Sequence, residues 1–377
     1  MSIQELKPLR LEPEATVLPA GAVLDADFKL SGISKTKNMI VLSLLALAVI
    51  FMALFSAGVG QMQISLPEIL ASIAHKVGLD WGALPEHPFA ESALWTIRFP
   101  RVIMAIIVGA ALAAAGVLMQ GVFGNPLAEP SVVGVSSGAA AFACISIALG
   151  LSIFGAWTTV ISAFIGGLIA TGLVYFTARH GGRTEVVTLV LTGVAINAIA
   201  GAVIALMTFL SDTSAREEII FWQLGSLNGT MWNNVLSAGP ITLIGIAIAF
   251  TTTRKLDLLS LGERPARHLG VNVELLRKEV IVIVAFLTSA AVAFAGIIGF
   301  VGLVVPHILR MALGPSHKLL LPASILGGAL LLLIADTVAR TLVPNADLPI
   351  GMLTALVGGP FFFWLIRRTR RGAGGWA

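Results

Sequence analysis

Apolar residues in this chain gather in runs of about twenty, the length a helix needs to cross a bilayer. Ten such runs are read, at roughly 39–60, 93–120, 131–150, 155–178, 186–210, 232–253, 279–298, 300–313, 319–342 and 349–366. The eighth is too short to cross upright, and Pro306 is expected to interrupt it. The stretch 279–313 therefore reads equally as one span followed by a broken or re-entrant segment. An even number of spans places both termini on one side. The pattern predicts an all-α polytopic membrane protein with about ten transmembrane helices. Two four-helix blocks, spans two to five and seven to ten, enter the membrane from opposite sides and imply inverted half-repeats, an architecture common in transporters. Their Gly/Pro-rich interruptions, at 124–134 and 299–306, align only weakly.

Composition agrees with the pattern. Hydrophobic residues make up 57% of the 377 and charged residues 12%, against about 25% charged in soluble domains. A disordered regulator, a fibrous chain and a disulfide-stapled module are excluded. The 39 glycines suit closely packed membrane helices. Cys144 is the only cysteine and cannot form an internal disulfide.

Net charge is +4. In so apolar a chain this points to basic residues flanking spans on the cytoplasmic side, not to nucleic acid. With the N-terminus inside, every Lys and Arg falls on the cytoplasmic side except Lys76, Arg98, Arg101, Arg216 and Arg340. Both termini are thus expected in the cytoplasm. Residues 1–38 read as a flexible cytoplasmic tail without a signal peptide, 39–368 as the transmembrane domain, and 369–377 as a C-terminal tail.

Five segments carry candidate chemistry. In RFPR (98–101), Arg98 and Arg101 read either as interfacial anchors or as a docking site for an acidic partner. In MQGVFGNPLAEPSVVGVSSGAA (119–140), Asn125-Pro126 and Glu129-Pro130 force turns at a membrane edge. Such a break is tolerated only where it is buried in protein or lines a cavity. The loop 256–278 is too apolar for a solvated loop and too charged for a span. Leu258, Leu259 and Leu261 before Gly262, then Ala266, Leu269 and Val271 around Gly270, predict two short helices offering a partner surface, or a helix lying flat on the membrane. In GFVGLVVPHILR (299–310), His307 reads as a helix-end group and not a metal ligand. In 335–365, Asp336 and Arg340 stand at i, i+4, so Arg340 either pairs within its helix or joins Arg98 and Arg101. No phosphate loop, His/Cys metal cluster, H-E-x-x-H or G-x-S-x-G occurs. Few acids lie within spans, which argues against an ion-coupled carrier working alone.

In combination, RFPR, MQ-x-x-F-x-NPLAEP-x-x-x-GVSSGA, LGE-x-x-AR-x-LG, GFVGL-x-VPHI-x-R and LPIG-x-x-TAL-x-GGP resemble the permease subunits of type II ABC importers. That family imports iron-siderophores, haem and cobalamin, and the likeness covers about residues 40–368. It implies a homodimer without enzymatic activity or cofactor of its own, two ATPase subunits carrying ATP and Mg, and a periplasmic substrate-binding protein. It further implies ATPase coupling through Gly262, Glu263, Ala266, Arg267 and Gly270, and binding-protein docking at Arg98, Arg101 and Arg340. A cytoplasmic gate at Asn125 and Leu127 and a translocation path along 186–210 follow from the same likeness. The stretch REEIIFWQLGSLNGTMW (216–232) resembles the haem branch most, ahead of ferric-siderophore and cobalamin permeases. Met207, Phe209 and Arg216 are then expected beside the path.

Overall fold

The computed structural model describes residues 20–181, 183–344 and 346–372. It divides into one unit ending at Val41 and a second from Leu42 onward. Helix α1 (Ala20–Gly58) begins well before residue 39, so part of the expected tail is helical; residues 1–19 and 373–377 of the two tails lie outside the described residues.

After α1 come α2 (Leu66–Lys76), α3 (Ala90–Ala93) and α4 (Phe99–Phe123), the last two joined by a π-turn over Leu94–Arg98 into one continuous helix. Then follow α5 (Val135–Ala148), α6 (Thr158–Thr177), α7 (Val186–Leu210), α8 (Thr213–Leu224) and α9 (Trp232–Leu259). The chain ends with α10 (Glu263–His268), α11 (Val273–Ala295), α12 (Val301–Leu313), α13 (His317–Thr341) and α14 (Ile350–Gly372). A two-residue antiparallel ribbon, Arg179–His180 with Arg183–Thr184, closes the α6–α7 turn.

Each of the ten apolar runs forms a helix. Among the described residues seven are long and apolar enough to cross a membrane, and α5, α12 and the apolar part of α14 are shorter. At about 1.5 Å per residue, α5 and α12 reach only about 20 Å, short of a hydrocarbon core of about 30 Å. Each follows a stretch of broken backbone, 124–134 before α5 and 296–300 before α12. A long helix, a break and a short helix thus occur twice along the chain. The second break corrects the expectation for Pro306, which sits inside α12. The bend falls instead at Gly296 and at Phe300, whose φ of 68° is otherwise a glycine conformation.

The centre of the bundle is α4, packed against α9, α11, α12 and α13. Its run Val108–Gly116 is small enough for backbones to meet. A Cβ on Gly116 would stand 1.9 Å from the Gly302 carbonyl of α12, and one on Gly109 2.3 Å from the Gly328 carbonyl of α13. With no water to exclude between membrane helices, such close van der Waals packing holds them together.

Candidate functional site

At the RFPR end, the carbonyls that close α1 have no partner within their own helix. Arg98 supplies one, donating through Nη1 to Ala57 O at 2.6 Å and Gly58 O at 3.0 Å, and through Nη2 to Met62 O. Arg340 supplies more, to Val59 O at 3.0 Å, Ser56 O at 2.9 Å and Ser56 Oγ at 2.7 Å. Its Nε also donates to Asp336 Oδ2 at 3.1 Å, the i, i+4 pair read in the sequence. Arg101 donates to Asp336 Oδ1 at 2.8 Å and Asp347 Oδ2 at 2.7 Å. Asp336 is fully buried between two guanidinium groups.

Arg98, Arg101 and Arg340, expected from the family likeness to dock a binding protein, bond internal groups in this structure. Arg98 and Arg101 are buried, the Arg340 side chain is only 10% exposed, and all three are committed to internal acceptors. They neutralise a helix C-terminus and a buried acid. The signal lay in the sequence as Asp336 and Asp347, though not their meeting with residues more than two hundred positions away.

The turn after α4 starts at Gly124, in the left-handed region at φ 59°. Asn125 Oδ1 accepts from Leu127 N at 2.9 Å, and Asn125 N donates to Gln120 O at 3.2 Å. Asn125 is exposed and Leu127 half-buried. Glu129 Oε1 accepts from Phe300 N at 3.0 Å, joining this break to the one before α12. Ser137 Oγ donates to Asn197 Oδ1 of α7, and a Cβ on Gly193 would stand 1.8 Å from Val132 O. Sequence reading missed Glu129, Gly193 and Asn197 as the ties that seat the turn; a polar Asn within an apolar span was the available signal.

Along α7, Phe209 is exposed whereas Met207 packs toward Cys144 and Ile219. Two residues apart on a helix point to different sides, so the pair does not line one surface. Arg216, expected beside the path, is exposed in the first turn of α8. It donates to Thr208 O at 3.2 Å and Ser211 O at 2.9 Å, capping α7.

In the loop 256–278, Leu258 and Leu259 end α9, and one short helix, α10, replaces the two expected. Gly262 at φ 108° and Gly270 at φ 86° flank it in conformations that favour glycine. Ala266 is buried, while Glu263 and Arg267 are exposed and paired at 3.2 Å. Glu263 also accepts from Arg277, which reaches Glu274 at 3.1 Å and Thr184 O at 3.1 Å. Leu261 and Leu269 stay 62% and 57% exposed, an apolar surface on either side of α10. One turn before the end of α9, Asp257 Oδ1 accepts from His317 N at 2.6 Å and His317 Nδ1 at 2.8 Å. A recess of about 450 Å³ separates α10 from the turn after α4, with Arg310, His317 and Glu263 on its walls. Among the described residues no group of His, Cys, Asp and Glu could hold a metal ion.

Residues 45–368 match the FecCD transport family. The hemin transport system permease of Yersinia pestis is 39% identical over 343 residues, 89% of this chain and 98% of that one. The cobalamin import system permease of Halobacterium salinarum is 42% identical over 305 residues, 80% of each. A solved structure of an inward-facing metal-chelate type ABC transporter superposes with a TM-score of 0.77 at 33% identity, covering 87% of this chain and 99% of that one. Ten apolar helices, two of them short and each preceded by a break, and a match over residues 45–368 converge on one assignment: the chain belongs to the FecCD transport family and is a permease subunit of a type II ABC importer.

Proposed function

We propose that this permease carries haem into the cytoplasm across a bacterial inner membrane, with both termini cytoplasmic. It acts as a homodimer, with ATP and Mg on two separate ATPase subunits and cargo delivered by a periplasmic binding protein. The observation that carries the substrate is the 39% identity to the hemin permease over 98% of that protein's length. The sidedness rests on the Lys and Arg distribution. A cobalamin cargo is the second reading, favoured by the 42% identity of the Halobacterium relative over a shorter stretch. A third, a ferric chelate, has a 38% identical iron(III)-citrate permease of Bacillus subtilis behind it. An importer of this family works with ATPase subunits, so a lone ion-coupled carrier is set aside.

The ATPase contact is assigned to α10 with Gly262, Glu263, Ala266, Arg267 and Gly270. Its support is the short helix held between two left-handed glycines and flanked by exposed Leu261 and Leu269. The gate is assigned to the turn at Asn125 and Leu127, a break in the backbone between α4 and α5. Phe209 on the exposed face of α7 is assigned to the path.

Uptake by proteoliposomes containing the permease, its ATPase and its binding protein tests the whole. ATP-dependent haem accumulation that disappears without the binding protein is the expected result. Cobalamin or ferric-chelate uptake in its place moves the substrate within the family. Failure of an ATPase subunit to co-purify removes the coupling assignment.

A further inference from the structure

Three elements meet at His317, and none of the roles above uses it. The residue is 2% exposed and opens α13. One edge of its ring is held by Asp257 of α9, whose Oδ1 accepts from Nδ1 and also from the His317 backbone amide, while Ser316 Oγ donates to Oδ2 at 3.2 Å. The other edge lies on α4: a Cβ on Gly121 would stand 2.5 Å from Nε2 and 3.1 Å from Cδ2. Nε2 itself has no hydrogen-bond partner among the described residues. Gly121 directly precedes the gate turn, and the neighbouring Gln120 carbonyl accepts the amide of Asn125. Asp257 stands just before Gly262 and α10.

Across the open recess between α10 and the turn, movement of one does not push the other. Through packed, nearly incompressible contacts it does. The imidazole is such a contact, clasped by the helix that leads into α10 and pressed on the helix that leads into the turn. Resting on the ATPase and gate assignments above, we propose that His317 is a positioning residue that transmits displacement of the ATPase-contacting segment to the gate turn. Asp257 holds its ring, and Gly121 is the surface it bears on.

The test uses the complete complex of permease, ATPase and binding protein. It reads ATPase rate, uptake per ATP, and the ATP-dependent change in hydrogen–deuterium exchange of residues 121–128. His317→Leu removes the donor to Asp257, and Gly121→Ala displaces the ring from the opposite side. Each is expected to lower uptake per ATP by about two- to thirtyfold, the range of a coupling position, and to flatten the exchange change. His317→Asn places an amide N–H close to where Nδ1 stood but leaves Gly121 without the ring edge, and is expected to lose both as His317→Leu does. The double variant His317→Leu/Gly121→Ala is expected to be no worse than either single change, because one contact is lost in all three.

An unchanged exchange response in His317→Leu overturns the proposal. So does full uptake per ATP in His317→Asn, which would show that the Asp257 bond suffices without a ring on Gly121, or additive damage in the double variant. If the turn of the unsubstituted complex shows no ATP-dependent change, the gate assignment falls and this inference with it. A response that is intact there and in every variant removes the inference alone.

Discussion

Asp336 is a carboxylate with no exposed surface and a guanidinium on each oxygen, Arg101 on one and Arg340 on the other. Removing one partner of a buried ion pair leaves uncompensated charge, at a cost of about 3–5 kcal/mol. Asp336→Ala is therefore expected to lower thermal stability in detergent by that order, read as a fall in Tm and in monodisperse yield. Arg98 has no carboxylate partner among the described ion pairs; its charge sits against the closing carbonyls of α1. Loss of these bonds in Arg98→Ala should cost about 1–3 kcal/mol. The loss should persist in high salt, because buried interactions are little screened. Unaltered Tm with salt-dependent loss of binding-protein affinity would instead restore the docking reading of RFPR.

Among the elements, α4 has the least freedom. Its small residues let α12 and α13 approach until backbone meets backbone at Gly116 and Gly109. Gly116→Val puts a branched side chain where even a Cβ has no room. It is expected to destabilise by more than the about 1–3 kcal/mol of ordinary overpacking, since the obstacle is main chain. Gly172 of α6 meets nothing within 4 Å, so Gly172→Ala serves as the contrast. It should be neutral or slightly stabilising through helix propensity alone. Comparing the two in a thermal melt separates packing from propensity. The half-length helices α5 and α12 follow from the same economy. Their broken leaders are satisfied by protein groups, as in the bond from Phe300 N to Glu129, which is the condition for irregular backbone at membrane depth.

At the scale of the whole molecule, the contact proposed for an ATPase is α10 with the leucines beside it. Leu261 and Leu269 are exposed, so replacing both with Ser should leave Tm unchanged. If they anchor the ATPase, the double variant should weaken its association by at least about tenfold, since apolar anchors at an interface commonly carry more than 1 kcal/mol each. Co-purification and a binding titration read this directly. Unchanged affinity would send the contact elsewhere. A variant that binds its ATPase normally yet fails in transport would point instead to the path between α10 and the turn.

Ten apolar helices, their order, the broken segments and the special loop at 256–278 were legible in the sequence, because each is a local property. Twenty apolar residues must be helical in lipid, and Gly262 and Gly270 announce their turns wherever they are placed. The family motifs were legible for the same reason. The partners that Arg98, Arg101, Arg340, Met207 and Arg216 take within the fold were not. An arginine at a membrane edge is the same letter whether it faces solvent or caps a helix. Only the approach of α1 and α13 to the start of α4 consumed the three arginines internally. His317 belongs with them: its contacts with Asp257 and Gly121 exist only once α4, α9 and α13 have packed. The chain's own pattern determined which segments cross the membrane. Tertiary packing decided which charged groups remained free, because burial and hydrogen-bond partners are set by neighbours far away in sequence.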